Sequence, residues 1–194
     1  MVYESIFDYL NEDNRFKDVH DTCIDMEIMA LMDRPKISLF LARKASELLI
    51  RLIIDLHPKF KKELDNKSKM EKKKHPSLWD MINGSKDEGI ISQNIFHRYD
   101  KIRYTGNQYV HGTSLDAFGA DNSKEVHELL FYIALDCFNR YHEDDKKHIP
   151  YEYQLDKSDY AVEFTSETKD FTLKSIKAEE VEKLALESEF FINS

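Results

Sequence analysis

Apolar residues recur every three or four positions along most of this chain, which is the spacing that predicts amphipathic helices. The clearest helix is predicted over the segment 36–57, KISLFLARKASELLIRLIIDLH, which is apolar on most of its circumference. A helix of that kind is typical of the centre of a bundle. The fold class that follows is all-α, with about four or five main helices packed as a bundle. The other predicted helices cover residues 3–10, 16–32, 88–104, 122–141 and part of 75–84.

Residues that start or stop a helix set the predicted boundaries. Pro58 is predicted to end the central helix, and Gly84 to lie just beyond the end of the short one. Asn122 and Glu125 have the spacing of a capping box, which predicts that the last helix of the bundle begins there. One stripe of the central helix is predicted to face the core, and it consists of Leu41, Ala45, Leu48, Leu52 and Leu56.

Composition agrees with long helices and adds one charged feature. The 194 residues include five glycines and four prolines, and the formal net charge is −9, which argues against a surface that is basic throughout. Residues 59–74 nevertheless carry eight lysines against three acidic residues. A solvated loop is the favoured interpretation, and contact with a phosphate backbone, with Phe60 and Met70 for stacking, is the alternative. The candidate nucleic-acid contacts are Lys69, Lys72, Lys73 and Lys74.

The chain changes character after residue 142. Residues 1–142 are predicted to form the helical bundle, whereas residues 143–194 hold fourteen acidic residues against seven lysines. This second part is predicted to be an acidic linker with short strands at YAVEF and FTLKSI, followed by a helix over 178–191. It forms a small extended and helical appendage in the predicted domain organisation.

The sequence also bears on compartment and cofactors. Cys23 and Cys137 fall on apolar helix faces, which predicts two reduced core residues rather than a disulfide. No apolar run reaches the roughly 18 residues of a membrane span, and the N-terminus has no signal-peptide pattern, so we expect a cytoplasmic protein with no membrane partner. No phosphate-binding glycine loop and no convincing set of metal ligands is present, so neither a cofactor nor a metal is expected.

Residues 103–112, RYTGNQYVHG, stand out because glycine within a helical pattern costs about 1 kcal/mol relative to alanine. If the helix continues, Arg103, Asn107 and His111 share one face, and Gly106 allows another group to approach closely. Alternatively, the glycine breaks the helix and Asn107 caps a new one. A purely structural role is also open, in which Arg103 pairs with Glu47 inside the bundle.

The three polar residues of this stretch would suit metal-independent cleavage of RNA. Arg103 would clamp the phosphate, since guanidinium presents a planar fork of donors. His111 would move protons near neutral pH. Asn107 would position the imidazole or donate a hydrogen bond to developing negative charge.

The segments LARKASELLIRLI and IRYTGNQYVHG resemble the helical domain at the N-terminus of many type I restriction-like helicase and nuclease subunits, a branch of the HEPN (higher eukaryotes and prokaryotes nucleotide-binding) superfamily. The resemblance spans about residues 16–142. Its signature is arginine, two residues, Gly-Asn, three residues and histidine. The matching positions are Arg103, Gly106, Asn107 and His111, with Arg43 and Glu47 as supporting residues on the central helix.

This resemblance implies a helical bundle that forms a homodimer with the motif near the interface. Many HEPN proteins are RNases in toxin and phage-defence systems, whereas the restriction-linked branch implies a binding or assembly module. Seven residues separate Arg103 from His111, and Tyr104 follows the arginine, which departs from the usual nuclease pattern. The leading expectation is therefore a dimerisation module of a prokaryotic restriction or phage-defence protein, which binds RNA, DNA or the helicase and nuclease domains of a longer chain. The alternatives are a metal-independent endoribonuclease and a protein-only adaptor or antitoxin.

Overall fold

A computed structural model describes residues 5–32, 34–111, 120–142 and 146–152, and this part of the chain is a helical bundle. It contains no strand, and the predicted all-α class is confirmed. Two 3-10 turns, Asp8–Glu12 and Asn14–Phe16, precede the first long helix, so the short helix predicted over residues 3–10 is wrong within the described residues. The helices are α1 (Lys17–Leu31), α2 (Pro35–Asp55), α3 (Pro58–Met70), α4 (Leu78–Asp87), α5 (Gln93–His111) and α6 (Ala120–Tyr141).

Helix α2 is the central element, because it contacts each of the other five helices. Its buried face passes through Ala42, Leu49 and Ile53 rather than along the predicted stripe. Within that stripe Leu41 and Ala45 are buried, but Leu56 is exposed. A helix that is apolar on most sides does not itself determine which side its neighbours cover, and this is why the predicted stripe was rotated from the true one.

Most of the lysine-rich segment is helical and not a loop, because residues 58–70 form α3, whereas residues 71–74 lie beyond its end. Pro58 occupies the first turn of this helix, where its missing N–H costs nothing. Phe60, Leu64 and Ser68 recur every four residues and are buried, while the lysines cover the other sides. The sequence predicts a loop here because only these three positions carry the apolar or buried repeat of a helix.

Glycines in and after α4 have different roles from the predicted one. Gly84 lies inside the helix, where a Cβ would come within 3.0 Å of Cζ of the Phe60 ring, so its absence lets α3 pack closely. Gly89 has φ of +68° and follows the helix end, where the Ile90 N–H donates to the Ser85 carbonyl at 2.8 Å. This is the arrangement of a Schellman motif, so Gly89 rather than Gly84 terminates α4.

Helix α6 carries the predicted apolar face, which includes Leu130, Ala134 and Phe138 in the core. Its start differs from the prediction, since the helix begins at Ala120 and Asn122 lies within it. The N-terminal turns pack on this helix through aromatic rings, and the Tyr9 and Phe138 centroids are 5.3 Å apart in an edge-on arrangement.

Residues 146–152 form neither helix nor strand, and Ile149 and Tyr151 pack against the core of the bundle. The Asn139 side chain donates to the carbonyl of Lys147 at 2.8 Å and accepts from its N–H at 2.7 Å. Tyr151 packs against Phe131, with ring centroids 5.5 Å apart. The strands and the last helix predicted within residues 143–194 lie outside the described residues.

None of the helices in the described residues combines the length and apolar character that crossing a membrane requires.

Candidate functional site

The RYTGNQYVHG stretch is helical up to His111, because α5 runs without interruption from Gln93 to that residue. The interpretation in which Gly106 breaks the helix and Asn107 caps a new one is therefore wrong. Arg103, Asn107 and His111 follow each other at intervals of four residues along one helix, which places these positions on a common face. The side chain of His111 lies outside the described part of the structure.

Gly106 is explained by its contact with the central helix. A Cβ built at this position would lie 2.8 Å from Cδ of Arg43, well inside the normal contact distance. The missing side chain therefore makes room for the aliphatic stem of Arg43, which crosses the backbone of α5. The close approach that the sequence suggested is real, and the group that approaches is an arginine of the same chain.

Arg43 is held in an unusual electrostatic position. Its side chain is partly buried, and its Nε atom is removed from solvent with no hydrogen-bond partner among the described residues. Burial lowers the pKa of the Arg43 guanidinium, with the Glu47 carboxylate acting in the opposite direction and the Arg103 guanidinium adding to the decrease. The pair of arginines thus forms a local concentration of positive charge that is only partly compensated.

Arg103 binds an acidic residue of its own helix and an aromatic ring of α4. Its Nε and Nη2 donate to Oδ1 of Asp100 at 2.9 and 2.6 Å. Its Cζ lies 4.9 Å from the centroid of the Trp79 ring, which is a cation–π distance. Both contacts leave about a quarter of the side chain, 24%, exposed to solvent.

The predicted ion pair between Arg103 and Glu47 is wrong. Glu47 accepts two hydrogen bonds from Arg51, at 3.0 and 2.6 Å, and Arg103 uses Asp100 instead. Both observed pairs join residues three or four positions apart on one helix. Such pairs form without the need for two helices to be aligned.

Two residues near the arginine pair complete this surface. Asn107 is half-buried, one helical turn after Arg103, and Tyr104 is 54% exposed. Thr105 and Ile102 face the opposite way and are buried in the bundle. We use the name arginine face for the surface formed by Arg43, Trp79, Arg103, Tyr104 and Asn107.

The lysine candidates approach the same end of α4 as Trp79. Lys73 binds Oδ2 of Asp80 at 3.0 Å and also pairs with Glu71, and Asp80 follows Trp79 directly in the first turn of α4. Phe60 is buried under α3, so it offers no ring for stacking as the alternative interpretation required. The candidates are all exposed, and they are Lys69, Lys72, Lys73 and Lys74.

Sequence reasoning missed Asp100 and Trp79 as members of this site. The Asp100–Arg103 pair could have been found, because its spacing of three residues is that of a helical ion pair. Trp79 could not, since twenty-four positions separate it from Arg103 and only the packing of α4 against α5 brings them together.

A second polar cluster lies in the core, away from this motif. Glu27, 2% exposed, accepts from Oγ of Ser5 at 2.5 Å and binds Nε2 of His127 at 2.7 Å. Nδ1 of His127 lies 3.1 Å from the hydroxyl of Tyr151. The serine bonds to the carboxylate and not to the imidazole, so this is no nucleophile–base pair; it joins four segments of the chain.

Neither cysteine is placed for chemistry. Cys23 and Cys137 are free thiols buried in the core, as predicted, and burial raises the pKa of both. Thiols in such surroundings are inert. Within the described residues no group of three or more His, Cys, Asp and Glu side chains is arranged to hold a metal ion.

An open groove of about 510 Å³ lies where α2, α3 and the α4–α5 turn meet. Its lining includes His57, Glu63 and Glu88 but none of the residues of the arginine face. Nδ1 of His57 donates to the Ile53 carbonyl at 2.8 Å, which fixes the imidazole in the wall of the groove.

Comparison with protein-family models, with curated proteins and with solved structures gives no match to this chain. The fold and the site define an all-α bundle in which residues of α2, α4 and α5 form the arginine face. The HEPN resemblance stays a prediction.

Proposed function

We propose that this chain is a helical module that binds nucleic acid through the arginine face, within a prokaryotic restriction or phage-defence protein. The observation that carries the proposal is the packing of the Arg43 side chain against Gly106, three residues after Arg103 on α5, which brings two arginine side chains to one stretch of that helix. The restriction and phage-defence setting rests on the HEPN resemblance of the motif.

Two adjacent like charges are unfavourable unless an anion lies near both. Arg43 is partly desolvated, and a phosphate would offer an acceptor for donors that water does not reach freely. Asp100 and Glu47 offset part of the positive charge, so the pair suits one phosphodiester rather than a long stretch of backbone. The exposed lysines at the end of α3 would contact neighbouring phosphates.

A homodimer belongs to the same proposal. The HEPN resemblance implies that the motif lies near a dimer interface, so two arginine faces would lie close together. Light scattering coupled to size-exclusion chromatography would measure the mass in solution. A monomer at concentrations well above those that bind nucleic acid would remove the dimer from the proposal.

A metal-independent endoribonuclease is the second candidate function. The observation that favours it is the continuous helix, which sets the Arg103, Asn107 and His111 positions one turn apart. In this reaction the RNA 2′-hydroxyl would attack the adjacent phosphorus while His111 accepts its proton. The bond to the 5′-oxygen would break, that oxygen would take a proton, and a 2′,3′-cyclic phosphate would remain. Arg103 would stabilise the negative charge on the phosphorane oxygens.

The first experiment measures binding of a fluorescent RNA of mixed sequence in EDTA by anisotropy, at several salt concentrations. We expect binding that weakens with salt and that falls at least about tenfold in Arg43→Gln and in Arg103→Gln. Arg98→Gln is the matched control, because Arg98 lies on the same helix but packs over the Tyr132 ring, 4.3 Å from its centroid. Equal losses in all three variants would overturn the proposed site.

The same samples, analysed on a denaturing gel, test cleavage. Cleavage by the wild type that is lost in His111→Ala, with unchanged unfolding, would establish the endoribonuclease. Binding without cleavage would leave the module function. An absence of binding to RNA and DNA even at low salt would favour the protein-only adaptor and overturn both other functions.

A further inference from the structure

We infer that the arginine face takes single-stranded rather than duplex nucleic acid, with a base stacked on Tyr104 and a second aromatic surface at Trp79. This inference rests on the proposed function and names the class of nucleic acid that it binds. Three observations lead to it: the exposure of two aromatic rings, the contact of one of them with Arg103, and the lysine bound at the same end of α4.

Exposed aromatic rings are rare among the described residues. Among the phenylalanine, tyrosine and tryptophan side chains that the structure describes, only Trp79 and Tyr104 are classed as exposed, at 41% and 54%. Isolated exposed apolar residues need no explanation. Here, however, the Trp79 ring contacts the Arg103 guanidinium, and Tyr104 is the next residue of α5, with its side chain about 100° further around the helix.

Two neighbouring side chains hold the Trp79 ring in place. Its ring lies 5.9 Å from that of Phe96, which is itself nearly buried, and it receives the Arg103 guanidinium at 4.9 Å. An aromatic ring held in this way is preorganised, so little side-chain entropy is lost when a ligand packs on its free surface. Tyr104 offers a larger free surface on the adjacent position of α5.

Positive charge lies near the Trp79 ring. The Arg103 guanidinium lies over this ring. Asp80, the residue after Trp79, binds Lys73, and Lys72 and Lys74 adjoin Lys73 in the chain. Phosphate contacts that flank aromatic stacking surfaces are the combination by which proteins bind single strands.

Duplex nucleic acid cannot use this combination. Its bases are stacked on each other, and taking one out costs a few kcal/mol. Stacking on an aromatic side chain contributes about 1–3 kcal/mol per base. A site with two exposed rings therefore discriminates in favour of strands whose bases are already free.

The test compares one RNA of about 12 nucleotides, as a single strand and annealed to its complement, by anisotropy at fixed salt. We expect Tyr104→Ala to weaken single-strand binding about 5- to 150-fold, which is the range that corresponds to the loss of one stacked base. Duplex binding should not change. Tyr104→Phe retains the ring and should bind like the wild type.

Met70→Ala is the control for the loss of an exposed apolar side chain, since Met70 is 84% exposed at the end of α3. Trp79 is the chain's single tryptophan, so its fluorescence gives a label-free readout of the site. We expect the single strand to quench it and the duplex to leave it nearly unchanged.

The outcomes separate this inference from the proposed function. Equal binding of both forms, or no loss in Tyr104→Ala, with losses still seen in Arg43→Gln and Arg103→Gln, would overturn the single-strand inference alone. A lack of binding to either form by the wild type would overturn both.

Discussion

Gly106 of α5 and the Arg43 side chain of α2 pack so closely that a Cβ on residue 106 would lie 2.8 Å from Cδ of Arg43. This relationship accounts for a glycine within α5. It also brings the side chain of Arg43 against α5, three residues after Arg103, and the positive charge of Arg103 contributes to the lowered pKa of Arg43. One missing methyl group thus links the packing of two helices to the electrostatics of the arginine face.

Gly106→Ala should lower the free energy of unfolding by about 1–2 kcal/mol, because the overlap outweighs the gain of about 1 kcal/mol in helix propensity. In an Arg43→Ala background the overlap is gone, so the same substitution should stabilise the protein. Urea denaturation of the four proteins completes a double-mutant cycle. A stabilising Gly106→Ala in the wild-type background would show that Arg43 moves aside at little cost.

The two helix ends with positive φ predict opposite effects. Gly89→Ala should lower the free energy of unfolding by about 1 kcal/mol, because Gly89 has φ of +68°, although nothing lies within 4 Å of the added Cβ. Lys72, at φ +58°, should gain a similar amount on substitution by glycine, because the left-handed region costs a residue with a Cβ about 1–2 kcal/mol. Thermal unfolding of both variants measures this, and Lys74→Gly controls for the loss of a lysine. Equal signs for Gly89→Ala and Lys72→Gly would contradict the backbone explanation.

The Asp13 carboxyl should stabilise the protein at neutral pH, and this stabilisation should be lost in acid. Hydrogen bonds from the Arg15 side chain hold the pKa of the Asp13 carboxyl far below its usual range. The backbone N–H of Arg15 and the His142 ring lower this pKa further, whereas burial acts in the opposite direction. A carboxyl whose pKa is lowered in the folded state stabilises the protein at pH values above its pKa in the unfolded chain, which is about 4. That contribution is lost as the pH falls below this value toward the folded pKa.

The check is urea unfolding of the wild type and Asp13→Asn between neutral and strongly acidic pH. We expect the variant to be less stable at neutral pH by roughly 1–2 kcal/mol and the difference to shrink on acidification. Asp21→Asn is a control at an exposed carboxyl. A difference between wild type and Asp13→Asn that does not depend on pH would contradict the assignment.

Glu27 should be costly to remove, because its carboxylate joins α1 to Ser5 and to His127 inside the core. Glu27→Ala is expected to lower the free energy of unfolding by about 2–5 kcal/mol, because it leaves two buried hydrogen-bonding groups without this partner and opens space in the core. Glu27→Gln keeps the shape and part of the hydrogen bonding, so it should cost less. Chemical denaturation measures both, and equal costs would indicate that packing rather than hydrogen bonding dominates.

Several features could be predicted because they depend on neighbours in sequence. The long helices α1, α2 and α6 follow from apolar periodicity, and the Glu47–Arg51 pair follows from a spacing of four residues. The helical reading of residues 102–111 placed Arg103 and Asn107 one turn apart, which is what α5 shows. The roles of Arg103, Asn107 and His111 in binding or catalysis stay predictions.

The sequence by itself determined most of the long helices, with α3 as the exception, and which polar residues share a helix face, since both depend on a repeat of about 3.6 residues along one element. Tertiary structure decided the rest. It determined which face of α2 is buried, packed the Arg43 side chain against Gly106, and placed Trp79 against Arg103. These contacts join residues from different helices. They are set by how whole helices pack, which no local pattern along the chain encodes.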